Sequence, residues 1–256
     1  MASLPYDVLL DVFDEVDFRS GREGLEACRE ACGAWREAAD DSEGRAAAEW
    51  WAEGGRANDG HEVVMKICRE WRGRRLANHV CCFSGITGDD ARARDNEALR
   101  LACWSGRLEV AEWLCETFGL TGDDVRARGN EVFRFACANG HLEVARWLYV
   151  AFGLTANDAR AWNNWALRGA CENGNLEVAQ WLFVTFGLTA DDARARDNDA
   201  LLWACYNGNL EVAQWLHRTF ELTENDARAG DNRALRWACR SGHLEVAKWL
   251  RETFGL

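Results

Sequence analysis

The sequence lacks the features that mark exported and membrane proteins. No stretch approaches the ~20 uncharged apolar residues that a transmembrane helix requires. The first residues contain no basic segment and soon reach Asp11 and Asp14, which argues against a signal peptide. We therefore expect an intracellular protein, cytoplasmic or nuclear, with no membrane partner.

Positive charge is also scarce, and nearly all of it is arginine. The sequence has 30 lysines and arginines against 42 acids, which gives a formal net charge of −12 at pH 7. Only Lys66 and Lys248 are lysines, a shortage that a G+C-rich genome would explain. Because binding to nucleic acid or anionic lipid without sequence specificity requires a basic excess, we expect no nucleic-acid partner.

The composition otherwise fits a packed domain. Hydrophobic residues make up 48% of the chain and charged residues 28%, so the chain can bury a large core. The 11 cysteines are an odd number in a chain without an export signal, so a disulfide framework is not expected.

From Gly85 onward the sequence repeats itself five times with a period of 34 residues. No unit is longer or shorter than another. A unit of this length cannot bury its own apolar stripe, so it must share that stripe with its neighbours, which predicts a solenoid. We number the units one to five within the repeat region 85–256: 85–118, 119–152, 153–186, 187–220 and 221–254.

Each unit has the pattern of three helices and contains no strand-like alternation. In unit four the first apolar helix runs from Asp199 to a glycine exit at Gly208, and a second helix follows at once. The T-x-x-D pattern of Thr189 and Asp192 resembles a capping box and predicts a third, shorter helix. We therefore predict an all-α fold.

Three residues that recur in every unit have structural interpretations. We expect the asparagine before each first helix, such as Asn96, to cap that helix. The tryptophans of the second helices should form a ladder between units, with an aromatic ligand cage as the alternative. Arg92 and its equivalents are expected to form salt bridges with Glu109 and its equivalents in neighbouring units, with a binding role as the alternative.

No catalytic or metal-binding constellation is recognisable. His141 and His243 stand where other units have asparagine or arginine, so we expect surface or capping residues. The chain has no paired C-x-x-C set and no glycine-rich phosphate loop. We expect no enzyme activity, no cofactor and no metal. The recurring cysteines are predicted to be small core residues: Cys103, Cys137, Cys171, Cys205 and Cys239.

The units resemble ankyrin repeats. Residues 233–250 read RALRWACRSGHLEVAKWL, against the ankyrin pattern T-P-L-H-x-A-A-x-x-G-H-x-E-V-V-x-x-L-L. The T-P-L-H tetrapeptide is replaced, and the stretch that forms the ankyrin hairpin finger has the pattern of a capped helix. The tetratricopeptide family shares the period of 34, but its closing proline is absent.

A degenerate unit precedes the array. In segment 51–84, residues 64–68 align with residues 98–102 when the sequence is shifted by one period. We interpret this segment as an N-terminal capping repeat, which gives a solenoid a polar outer face. Its arginine cluster is expected to be solvated, with an anion site as the alternative.

Residues 1–50 resemble an F-box domain. A Leu-Pro opening leads an amphipathic helix, and Cys32 and Trp35 follow at the places where the family closes its small three-helix domain. The resemblance implies binding to a Skp-type adaptor and, through it, to a cullin ligase. The matching adaptor-binding positions are Leu4, Pro5, Val8, Leu9, Val12 and Phe13.

Positions that vary among the units are candidates for contact with a target. By resemblance to ankyrin arrays they fall on the concave face, and aromatic residues and arginine carry most interface energy. Packing on neighbouring units is the alternative for Trp162 and Trp165, whereas Trp203 and Trp237 are predicted to be core residues. The candidate target-binding residues are Trp104, Trp162, Trp165, Glu172, Tyr206 and Arg240.

These features predict a monomeric substrate receptor for a cullin-type ubiquitin ligase, with an unknown target protein. The alternative is an interaction scaffold with no ligase role. An ankyrin array joined to an F-box is similar to proteins that large DNA viruses use inside host cells, so a viral origin and a host-cell location are expected from the resemblance.

Overall fold

The computed structural model describes residues 60–70 and 86–256, and every regular element in these two ranges is a helix. The predicted F-box-like segment 1–50, with its adaptor-binding positions, lies outside the described residues. Most of segment 51–84 lies outside them as well.

The described helices are numbered in chain order, and their bounds repeat with the 34-residue period. None of them has the length and apolar content that would let it cross a lipid bilayer. They are α1 Gly60–Glu70, α2 Gly88–Trp104, α3 Leu108–Phe118, α4 Gly122–Ala138, α5 Leu142–Phe152, α6 Ala156–Ala159, α7 Ala161–Glu172, α8 Leu176–Phe186, α9 Ala190–Ala193, α10 Ala195–Tyr206, α11 Leu210–Phe220, α12 Glu224–Arg240 and α13 Leu244–Phe254.

Each unit begins with a short capped helical turn, as the T-x-x-D pattern predicts. In unit three the Asp158 carboxylate accepts hydrogen bonds from the Thr155 backbone N–H at 2.8 Å and the Thr155 hydroxyl at 2.9 Å. The short helix α6 starts from this cap, and α9 starts from the same cap in unit four. The predicted third helix is therefore confirmed, and it replaces the hairpin finger of the ankyrin pattern.

A left-handed turn follows each short helix. In unit one, Arg94, Asp95 and Asn96 have φ of 52°, 57° and 58°, and all other units have three consecutive residues of this kind. The last of the three is always asparagine, which tolerates this backbone region better than most residues.

The expected role of this asparagine as a helix cap is wrong. Its left-handed backbone is not that of an N-cap residue, so the side chain does not accept from the first turn. In all five units its Oδ1 is buried without a hydrogen-bond partner. The Asn96 Nδ2 instead donates to the Asp124 carbonyl in the next unit, at 3.4 Å.

First helices of successive units pack side by side, and each second helix packs against the first helix of its own unit. In units one to four, one apolar residue of the first helix is fully buried between units: Leu99, Phe133, Leu167 and Leu201. The recurring cysteines lie beside them, and Cys103, Cys137, Cys171 and Cys205 are buried as predicted. Burial raises the pKa of these four thiols.

In unit five the corresponding residues are less covered, because no later unit packs against them in the described structure. Cys239 is exposed, which contradicts its predicted place in the core. Leu235 is half-buried, whereas its four equivalents are fully buried.

Aromatic rings connect the second helices, although not as a simple stack of tryptophans. Each tryptophan makes an edge contact with the phenylalanine five residues later, as Trp147 does with Phe152 at 5.5 Å. In units two to four the connection to the next unit passes through a third ring. Tyr149 lies 6.1 Å from the Trp181 ring and 5.4 Å from the Phe186 ring.

An arginine and an aspartate form the polar link between units, which we call the Arg–Asp clasp. In units three and four, Arg160 donates to both carboxylate oxygens of Asp192, at 2.8 and 2.9 Å, and also to the Gly187 carbonyl at 3.2 Å. The same pair recurs at the other three junctions: Arg92–Asp124, Arg126–Asp158 and Arg194–Asp226.

The clasp corrects the predicted salt bridge with Glu109 and its equivalents. The bridge between units exists, but its acid is the aspartate of the next unit's capping box. Burial raises the pKa of Asp226, yet the hydrogen bonds from Arg194 and Thr223 outweigh this and lower it from 3.8 to about 2. The clasp aspartate is therefore ionised at neutral pH.

A second link between units caps the preceding first helix. His141 Nε2 donates to the Trp104 carbonyl at 2.9 Å, and Asn175 Nδ2 donates to the Ala138 carbonyl at 2.6 Å. These carbonyls lie at the ends of helices, where they have no hydrogen-bond donor within their own helix. Asparagine, arginine and histidine can all donate in this way, which explains why this position alternates among them.

Helix α1 continues the packing of the first helices on the N-terminal side. It ends at Glu70, one period before Trp104, and buries Val64, Ile67 and Cys68. It packs against α2, and His61 Nε2 lies 3.1 Å from a Glu97 carboxylate oxygen.

Loss of the clasp should destabilise the array. Arg160→Ala removes the charged hydrogen bonds to Asp192, so we expect the free energy of unfolding to fall by about 1.5–3 kcal/mol, measured by urea denaturation.

Arg228→Ala is the matched control for this prediction. Arg228 occupies the same position in unit five but pairs with the exposed Glu224 of its own unit. Its replacement should cost less than about 1 kcal/mol. Equal losses from the two variants would contradict the stabilising role of the clasp.

Candidate functional site

Three positions of each first helix form what we call the first-helix surface. They lie at the start of the helix, one turn later and at the helix end. By unit, the residues are Glu97, Leu101 and Trp104; Glu131, Phe135 and Ala138; Trp165, Gly169 and Glu172; Asp199, Trp203 and Tyr206; and Arg233, Trp237 and Arg240.

Most acids at the start of these helices are engaged by arginines. Arg100 of unit one pairs with Glu131 of unit two at 3.0 Å, and Arg168 of unit three pairs with Asp199 of unit four at 3.1 Å. The Arg168 guanidinium also donates to the Asn163 carbonyl in its own left-handed turn, at 2.9 Å. The arginine thus joins the turn of one unit to the helix of the next.

In unit three, Trp165 stands at the helix start in place of an acid. The arginine of the preceding unit then forms a cation–π pair instead of an ion pair. The Arg134 guanidinium lies 5.0 Å from the Trp165 ring and 4.9 Å from the Trp162 ring. Phe135 makes an edge contact with Trp165 at 5.7 Å. Burial lowers the pKa of Arg134, and two aromatic faces near the cation offset part of its desolvation.

Trp162 is the most exposed of the large aromatic residues on the described part of the chain, at 64%. It belongs to the left-handed turn of unit three, beside the first-helix surface. Its indole lies over Gly129 of the preceding unit, where a side chain would collide with it, and Gly129 has φ of 67°. Trp162 therefore packs on a neighbouring unit and still presents most of its area to solvent.

A second aromatic cluster covers units four and five. Trp203, Tyr206 and Trp237 contact one another with ring centroids 5.3–5.5 Å apart. Arg233 lies over the Trp237 ring at 5.6 Å. The prediction that both tryptophans are core residues is wrong, because each is half-buried and lies on the first-helix surface.

Small residues separate the two clusters. Ala138 is buried at the end of α4, and a methyl group added at Gly169 would lie 2.7 Å from the Ala138 Cβ. The helices of units two and three therefore approach each other closely at this point. Glu172 follows one turn after Gly169 and is half-buried.

The six predicted target-binding residues lie on or beside one surface. Trp104 is 52% exposed and Tyr206 38% exposed, and Arg240 is also exposed, whereas Trp165 and Glu172 are half-buried. The structure adds four residues to this group: Arg134, Phe135, Trp203 and Trp237. Sequence reasoning missed Arg134 because its contact with Trp162 and Trp165 depends on how unit three is placed on unit two.

The site contains no evident reactive group. In residues 60–70 and 86–256, no cluster of three or more His, Cys, Asp or Glu side chains is arranged to hold a metal ion. What the surface offers is aromatic area, guanidinium groups and carboxylates.

Comparison with known proteins identifies the units. Residues 167–255 match a family model of ankyrin repeats in three copies, and residues 99–149 match a model of ankyrin repeats in many copies. A solved structure of an ankyrin repeat family protein from Legionella pneumophila is similar, with 16% sequence identity and a TM-score of 0.47, covering 97% of this chain and 90% of that one. No curated protein matches the chain. On the two family matches, the repeated units of this protein are ankyrin repeats.

Proposed function

We propose that the array binds a partner protein on its first-helix surface. Ankyrin repeats indicate a protein–protein interaction scaffold. The observation that supports this particular surface is its exposed aromatic area, with Trp104, Trp162 and Tyr206 at 52%, 64% and 38% exposure. Large exposed aromatics grouped on one surface are typical of interfaces, where they supply contact energy.

The rigidity of the two aromatic clusters also favours binding. Trp203, Tyr206 and Trp237 hold one another by edge contacts, and Trp165 is held between Arg134 and Phe135. Side chains that are already ordered lose less entropy when a partner binds. A partner would therefore meet a preformed surface.

The opposite side of the array has exposed apolar residues of a different kind. Val150 and Val184, on the second helices, are each 77% exposed. Single exposed aliphatic residues are common on protein surfaces, so these two valines do not by themselves indicate an interface.

Photo-cross-linking can test which side binds. The photoreactive residue p-benzoylphenylalanine would replace Trp104 or Tyr206 in the full chain, and Val150 or Val184 in the matched controls. After irradiation in an extract of the source cells, we expect discrete protein adducts from the two aromatic positions and none from the two valines. Adducts from the valines alone would contradict the proposed surface.

We further propose that residues 1–50 bind a Skp-type adaptor, which would make the chain the substrate receptor of a cullin-type ubiquitin ligase. The support is the sequence order of Leu4, Pro5, Val8 and Leu9 ahead of an interaction array. In this arrangement the first segment joins the ligase and the array presents the captured target.

Direct binding to a purified Skp-type adaptor tests this role. The intact chain should bind the adaptor, and replacing Leu4, Pro5 and Val8 with aspartate should abolish binding while the helical circular dichroism signal stays unchanged. Trp104→Ala with Tyr206→Ala should bind the adaptor as the intact chain does. If the intact chain does not bind the adaptor, the ligase role is refuted, and the alternative of an interaction scaffold stands.

A further inference from the structure

One acid of the first-helix surface, Glu172, has a carboxylate that forms no hydrogen bond or ion pair within the described residues, and we infer that this acid selects partners that present a lysine or arginine side chain. This inference rests on the proposed protein-binding function of the surface and adds to it the chemistry of the partner.

Glu172 differs from the other three acids of the surface in its contacts. Glu97 pairs with Arg94 at 3.5 Å, and Glu131 and Asp199 pair with arginines of their neighbouring units. Within the described residues, the Glu172 carboxylate has neither a hydrogen bond nor an ion pair. The Arg168 guanidinium attracts this carboxylate electrostatically, but the carboxylate oxygens keep their hydrogen-bonding capacity for a ligand from outside the array.

The helix that ends at Glu172 packs against the helix that carries Trp203 and Tyr206. The Glu172 backbone carbonyl accepts hydrogen bonds from the side chains of Asn207 and Asn209, each at 2.8 Å. Asn207 directly follows Tyr206, so the end of α7 is held next to the end of α10, where the Trp203–Tyr206–Trp237 cluster lies. Glu172 and Tyr206 occupy the same position in successive first helices, so they lie at adjacent helix ends.

Three features of the surroundings of Glu172 favour a cation. A carboxylate attracts it by charge, and aromatic faces attract it through their quadrupoles. Glu172 is also the last residue of α7, where the helix dipole is negative. On the side towards unit two the corresponding residue is Ala138, so no bulky side chain covers the carboxylate from there.

The nearby arginines do not take this place. Arg168, one turn before Glu172, is directed to Asp199 and to the carbonyl groups of Trp162 and Asn163. Arg134 lies between Trp162 and Trp165. A basic partner also complements the chain's net charge of −12.

Selection of peptides from a defined library tests the inference. Random twelve-residue peptides displayed on phage would be selected on the immobilised full chain and on the variant Glu172→Lys. We expect lysine and arginine to be enriched about threefold or more among peptides selected by the wild type. The reversed charge should remove this enrichment and weaken the best wild-type peptide by about tenfold.

Glu177→Lys is the matched control, because Glu177 is an exposed acid on the second helix α8. It should select the same basic peptides as the wild type. Absence of basic enrichment by the wild type, or the same enrichment in Glu172→Lys, would overturn the inference.

The result also separates this inference from the proposed function. If the selected peptides carry no basic residues but lose binding to Trp104→Ala with Tyr206→Ala, the surface binds proteins and the cation preference is refuted. If neither set of substitutions affects binding, both the surface and the preference are refuted.

Discussion

One aspartate per unit joins local structure to the stacking of units. Its carboxylate completes the capping box of its own short helix and, in units two to five, also accepts a hydrogen bond from the arginine of the preceding unit. The hydrogen bonds of the cap therefore hold the aspartate where the arginine of the preceding unit can contact it. Because a 34-residue unit has too little apolar surface to fold alone, this dependence between neighbours is what holds the array together.

The scaffold leaves the first-helix surface free to vary. The clasp and the buried apolar residues lie elsewhere in the unit, and the helix caps use backbone carbonyls. The side chains of residues such as Trp104 and Glu172 can therefore change without loss of register. The residue that the arginine of one first helix contacts in the next first helix can also change. Arg100 uses a carboxylate and Arg134 uses an indole ring for the same contact with the next unit.

Local features of the fold could be predicted from the sequence, and contacts between units could not. Within the repeated units, the helices, the glycine exits and the T-x-x-D caps depend on neighbouring residues and were predicted correctly. The partner of Arg92 was assigned to Glu109 instead of Asp124, because a contact across 32 residues depends on how one unit is placed on the next. The asparagine at position 96 was mistaken for a cap because its left-handed backbone has no unique sequence signal.

The candidate site was predicted in part for the same reason. Exposed aromatics at varying positions, such as Trp104 and Tyr206, were recognisable without a structure. Trp203 and Trp237 were assigned to the core because hydrophobicity alone does not tell which side of a first helix faces the neighbouring unit. Whether these residues contact a target is tested by binding experiments.

Deletion of one whole unit tests most directly the claim that the units fold only by stacking in register. A chain without residues 153–186 keeps every remaining junction, with Arg126 opposite Asp192. We expect it to retain its helical signal per residue and to unfold in one cooperative urea transition. A chain without residues 170–186 loses half a unit and should lose cooperative unfolding. The same behaviour in both deletions would contradict the account.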